Sequence, residues 1–162
     1  MILASRKGVS AVIATVLLIV LTIAAVAIIA GVVIPFVKTQ LDKSKKCFEA
    51  IDQISIEQGE FTCYNSTNTK IMIRRGTNAE FELKGLIVSL VKSDASSEVY
   101  KIYNNISIQG VKMYSGSFDL EIPQEGGAET YVFPVSSSYA SVAPILSNDE
   151  TCKEISENIE AC

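Results

Sequence analysis

Few side chains in this sequence could do chemistry. The chain of 162 residues contains no histidine, which takes away the commonest general acid/base and the commonest metal ligand. Its thiols are Cys47, Cys63, Cys152 and Cys162. None forms a C-x-x-C pair, and a structural zinc site lacks its usual ligand spacing. An even cysteine count behind a membrane-targeting segment reads as two disulfides in an oxidising compartment; buried free thiols are the plainer alternative. Three connectivities are open. The sequence-local pairs, Cys47–Cys63 and Cys152–Cys162, are the expected ones. The first would tie the foot of a helix to the start of the soluble head, and the second would close the C-terminal tail. Each short loop would contribute ~2–3 kcal/mol by loop entropy.

Other reactive groups have plain explanations. Carboxylates are scattered singly, as on a solvated sheet face. Arg74 and Arg75 stand together without a glycine-rich phosphate loop, and Ser136–Ser138 has no histidine partner. No P-loop, G-x-S-x-G or EF-hand pattern occurs. Tyr100, Tyr103, Tyr114, Tyr131 and Tyr139 could form a sugar- or surface-binding patch, although half-buried rings on sheet faces are the commoner arrangement. The expectation is a protein that is not an enzyme and uses no cofactor and no metal. Two N-x-[ST] sequons, at Asn65 and Asn105, are possible N-glycosylation sites.

The elements that must carry these residues divide the chain in two. Val9–Val37 contains no charged residue. As a helix it would extend roughly 43 Å at 1.5 Å per residue, against the ~30 Å of a bilayer's hydrocarbon core. It follows a short basic leader, and its apolar run is about twice too long for a cleaved secretion signal. Ala24, Ala25, Ala27, Ala30 and Gly31 offer a smooth face for close helix approach, and Pro35 predicts a kink or weakened helix. Residues 38–50 read as continued helix, with a solvated linker as the alternative beyond Lys43.

From Ile51 the apolar period becomes two. IDQISIEQ, FTCYN, TKIMIRR, AEFEL, LIVSLVK, EVYKIYNNISI, GSFDLEI, ETYVFPV and YASVAPIL alternate with turn signals every 8–12 residues, the rhythm of an antiparallel sandwich or barrel. The polar tail reads as a loop or short helical turn. The fold expected is α+β, a long N-terminal apolar α-helix followed by an antiparallel β-sandwich-like head. Its parts are a leader at 1–8, helix and stalk at 9–50 and the head at 51–162.

Arg6 and Lys7 are the only charges before Lys38. Twelve of the 14 basic residues and all 18 acidic ones follow, so the remainder carries a net charge of −6. That balance argues against nucleic acid as a partner and against docking on an anionic membrane surface. The lysines at 38, 43, 45 and 46 outnumber the leader's charges and would place the head in the cytoplasm by the positive-inside rule. The cysteines and the sequons oppose this, and the cysteine argument places the head outside.

The N-terminus resembles the class III signal sequence of archaeal type IV pilins. The matching residues are Arg6-Lys7-Gly8 followed by VSAVIATVLLIVLTIAAVAIIAGVVI. Val-Ser-Ala-Val-Ile is similar to the V-S-P-V-I start common in that family, with Ala11 where proline is usual. Ile13 stands where bacterial pilins usually carry a glutamate. The resemblance covers about a quarter of the chain. It implies cleavage between Gly8 and Val9 by a prepilin peptidase, with the pilus assembly ATPase and membrane platform as further partners. It also implies a subunit that sits in the cell membrane as a precursor and then self-assembles into an extracellular surface filament, working in adhesion. The cysteine pairs are not general to that family. The alternatives are a membrane-anchored extracellular binding module, an archaellin subunit of a motility filament and, lowest, a secreted enzyme.

Overall fold

In a computed structural model, residues 11–77 and 81–162 are described. The chain divides into two units, Met1–Lys43 and Ser44–Cys162. Within the first, α1 (Ala11–Ile28) passes through a π-helical turn (Ile29–Val33) into α2 (Ile34–Gln53), which continues into the second unit. Pro35 explains the change of winding. It has no N–H to donate, and its ring crowds the carbonyl four residues back, that of Gly31. Widening the turn relieves both conflicts: the Ile34 N–H reaches back to the Ile29 carbonyl. The expected disturbance at Pro35 thus falls in the turn preceding it, and the helix continues.

The second unit is the β-rich head. It consists of β1 (Ile54–Glu57), β2 (Cys63–Tyr64), β3 (Thr69–Arg75), β4 (Leu83–Val91), β5 (Ser97–Tyr103), β6 (Lys112–Met113), β7 (Ala128–Phe133), β8 (Tyr139–Leu146), β9 (Ile155–Asn158) and β10 (Glu160–Ala161). A six-stranded sheet runs β10-β2-β3-β7-β6, with β1 also on β3, and a four-stranded sheet runs β5-β4-β8-β9. Antiparallel pairing prevails; β10 on β2 is parallel. The fold is α+β, as expected.

Alternation builds the core. Ile71 and Ile73 of β3, Tyr131 and Phe133 of β7, Leu86, Val88 and Leu90 of β4, and Tyr100 and Ile102 of β5 are all buried. Tyr100 and Phe133 meet across the two sheets with ring centroids 5.0 Å apart. Strand β8 is different: everything from Ala140 to Leu146 is buried. It lies between β4 and β9 and carries small residues such as Ser141 and Ala143 on its other face, so alternation is lost where both faces are covered.

Four sequence expectations shift. Ile51–Gln53 is the last turn of α2, and the strand starts at Ile54. Ala50 belongs to the head's core, so packing holds the helix three residues beyond the change of period. Of the described residues of AEFEL only Leu83 is in a strand, and it opens the same strand as LIVSLVK, β4, bulged between Leu83 and Gly85. GSFDLEI forms only the bridge of Leu120 with Ile106. The tail is extended, with β9 pairing β8 along Tyr139–Asn158 to Val142–Ile155. Its polar side chains suit an edge strand and hide the strand signal in the sequence.

The disulfides correct the expected pairing. The bonds are Cys47–Cys152 and Cys63–Cys162; Cys47–Cys63 and Cys152–Cys162 do not form. Parallel pairing of β10 on β2 sets Glu160 beside Cys63 and Ala161 beside Tyr64, and the Cys162 N–H donates to the Tyr64 carbonyl. Cys162 therefore arrives at Cys63, with Cα atoms 4.9 Å apart. At Cys152 the N–H donates to the Pro144 carbonyl, which holds it 5.2 Å (Cα–Cα) from Cys47. Sheet register decided the partners, and sequence distance did not.

Candidate self-association helix and head surface

The apolar helix is the main functional candidate. From Val12 to Val37 every large hydrophobic side chain is exposed, among them Leu17, Leu18, Leu21, Val26 and Phe36. The segment is long and apolar enough to cross a membrane, and none of its most apolar window is buried within the chain. Apolar residues lie on all its sides, unlike a surface helix with one core-facing stripe. Its polar side chains are neutralised locally. The Thr15 hydroxyl donates to the Val12 carbonyl at 2.9 Å, and that of Thr22 to Ile19 at 2.8 Å. Such back-bonding leaves no free hydroxyl donor facing an apolar environment.

Beyond Val37 the helix changes character. Lys38, Lys43, Lys45 and Lys46 are exposed, and Lys45 reaches Glu49 one turn on at 3.5 Å. Leu41 and Phe48 remain exposed beside them. Thr39 donates to the Pro35 carbonyl, so this turn stays intact next to the proline.

The proposed cleavage residues Gly8 and Val9 lie outside the described residues. Both sequons are described. Asn65 heads a tight turn in which its Oδ1 accepts from the Thr67 N–H (2.9 Å), the Thr67 hydroxyl (3.1 Å) and the Asn68 N–H (2.8 Å). Asn105 is exposed in a turn with φ of 58°, a left-handed conformation that asparagine tolerates.

The reactive groups weighed from sequence serve the fold. Ser137 is buried, donating to the carbonyls of Val91 and Tyr139. Arg74 pairs with Glu57 at 2.9 Å, and Arg75 lies over the Phe81 ring. The five tyrosines do not gather. Tyr131 and Tyr100 are in the core, where burial pushes both phenols well above the ordinary tyrosine range. The Tyr131 hydroxyl donates to the Glu121 carbonyl at 2.5 Å, and the Tyr100 hydroxyl bonds Glu98. Tyr114 alone joins an exposed aromatic contact, and its partner is Phe61, a residue that sequence reasoning missed. No local pattern marks Phe61, since the contact spans the sheet. Among the described residues, no group of three cysteines or carboxylates is placed to hold a metal ion.

Compared with known protein families and with characterised proteins, the chain matches none.

Proposed function

We propose that the chain is the structural subunit of an archaeal type IV pilus-like surface filament, polymerising through its N-terminal helix and working in adhesion. The observation that carries this reading is the exposed, all-round apolar helix joined to a disulfide-clipped β-rich head. In a membrane precursor, lipid covers that helix. In a filament, neighbouring copies cover it, at about 25 cal/mol for each Å² of apolar surface withdrawn. Repeating one heterologous contact by a screw operation gives an open fibre. Cleavage between Gly8 and Val9 by a prepilin peptidase removes the charges of Arg6 and Lys7, which would otherwise hold the helix at the membrane face. The assembly ATPase and membrane platform are the partners of that step, and Asn65 and Asn105 are the positions open to glycosylation.

The test is N-terminal sequencing of filaments sheared from cells. The mature chain is expected to begin VSAVIATVLL. An intact Met1 in assembled material overturns the processing step. A chain that stays wholly in the membrane fraction overturns the filament in favour of an anchored extracellular binding module.

A further inference from the structure

The two disulfides stand in different surroundings. Cys47–Cys152 belongs to the core of the head, where Cys152 is 5% exposed and Cys47 packs against the same cluster. Cys63–Cys162 lies on the other side of a sheet. Cys63 registers with Lys70 of β3, and Lys70 alternates with the buried Thr69 and Ile71. Directly paired residues share a face, so this bond sits on the face turned away from the core. Cys63 is covered, but Cys162 is exposed. Both line an open groove of about 860 Å³ at the β10–β2 edge of the six-stranded sheet. A disulfide that solvent can reach is the one open to exchange, whereas one packed in the core is shielded from an attacking thiolate.

Little besides this bond holds the segment it ties down. Strand β10 pairs with β2 over two residues, Glu160 with Cys63 and Ala161 with Tyr64, and the Cys162 N–H donates to the Tyr64 carbonyl. Glu160, Ala161 and Cys162 are all exposed. The nearest buried anchor is Ile159, 4% exposed, whose N–H donates to the Ser138 carbonyl. With Cys63–Cys162 open, a two-residue ladder between solvent-exposed groups is left to resist fraying beyond Ile159. Cys47–Cys152 still ties the end of α2 to the segment after β8, so the core of the head is kept.

We propose that Cys63–Cys162 is a thiol–disulfide exchange site that latches β10, opened by a low-molecular-weight thiol while Cys47–Cys152 stays closed. The thiolate attacks Sγ of Cys162, the exposed end of the bond. A new S–S bond forms to Cys162, the Cys63–Cys162 bond breaks, and its electron pair leaves on the Cys63 sulfur, which takes up a proton. A second thiol attacks the mixed disulfide and frees Cys162. Two thiols are thus oxidised to one disulfide as the protein's bond is reduced. Release of β10 uncovers the edge of β2, whose backbone N–H and C=O groups become open to strand pairing. The latch lies wholly within the head and stands whether or not the chain forms filaments.

The test treats the full chain in detergent micelles with cysteamine and no denaturant. New thiols are trapped with N-ethylmaleimide and located by peptide mass spectrometry. Cysteamine is the probe because Glu60, Glu157 and Glu160 line the groove together with Lys70, and a thiol bearing an ammonium group is not held off by the carboxylates. Labelling at Cys63 and Cys162 is expected to run about tenfold faster or more than at Cys47 and Cys152, the scale of a difference in access. Hydrogen exchange at the Cys162 amide should then quicken, with the β3–β7 ladder still protected. Cys63→Ser/Cys162→Ser should show the same fast exchange without any thiol; the labelling itself uses the wild-type chain and needs no variant to fold. The proposal is overturned if the two pairs are labelled at one rate, if Cys47–Cys152 opens first, or if neither opens while the head is folded. It is also overturned if the Cys162 amide stays protected once Cys63–Cys162 is reduced.

Discussion

Thr69 and Ser137 join the two sheets where the chain crosses between them. The Thr69 hydroxyl donates to the Val135 carbonyl at 2.7 Å and accepts from the Ser137 N–H at 2.9 Å. Both residues are buried. Thr69→Val keeps the shape but strands that N–H and carbonyl, so it should cost about 1–3 kcal/mol, read as a lowered urea midpoint. Glu129 behaves oppositely. Burial, and then the nearby Glu121 carboxylate, raise its carboxyl above the ordinary range. A raised acid favours folding when protonated, and that contribution disappears as pH climbs from the unfolded value through the folded one. Glu129→Gln should therefore melt higher than wild type at neutral pH. The difference should vanish near about pH 3, where the carboxyl is protonated in both states. Neither effect could be read beforehand, because the Thr69 contacts join residues far apart in sequence and the burial of Glu129 depends on its place in the sheet.

At the scale of elements, the helix was legible along the described part of its apolar run, from Ala11 on, and the strands mostly so. Charge-free residues across thirty positions leave few alternatives to a helix in an apolar medium. Strand signals held where one face is solvated, as in β3, and also in β8, whose residues are the expected YASVAPIL segment although Ala140–Leu146 is buried throughout, and they faded in polar β9. The β4–β5 hairpin shows what alternation cannot convey. Gly85 sits at the bulge in β4, and a Cβ there would lie 2.6 Å from Cδ1 of Tyr103 and 2.7 Å from the Ile102 carbonyl oxygen. A backbone oxygen cannot swing aside. Gly85→Ala should destabilise the head by roughly 1–3 kcal/mol, visible as a lower Tm, while leaving membrane association through the helix unchanged.

At the scale of the whole molecule, the second unit is closed by two long covalent loops. The disulfides join residues 105 and 99 positions apart, tying the end of α2 and the strand β2 to the C-terminal segment. A loop of this length is worth up to about 4.7 kcal/mol by chain entropy, and about 2–4 kcal/mol in typical measurements. Cys47→Ser/Cys152→Ser should lower the head's Tm by several degrees or more. Proteolysis of the native chain without reductant should release peptides linked Cys47–Cys152 and Cys63–Cys162. Recovery of Cys47 linked to Cys63 would contradict this topology.

Composition and period alone determined that an uncharged helix precedes an acidic, β-rich head, because hydropathy and alternation are properties of neighbouring residues. They also set aside histidine-dependent chemistry, since a missing residue type needs no fold to interpret. Cysteine partners, the strand character of the tail and the meeting of Phe61 with Tyr114 were decided only in three dimensions. Each depends on sheet register, which brings together residues tens of positions apart. Burial energy summed over the whole core selects that register, and no short window of sequence contains it.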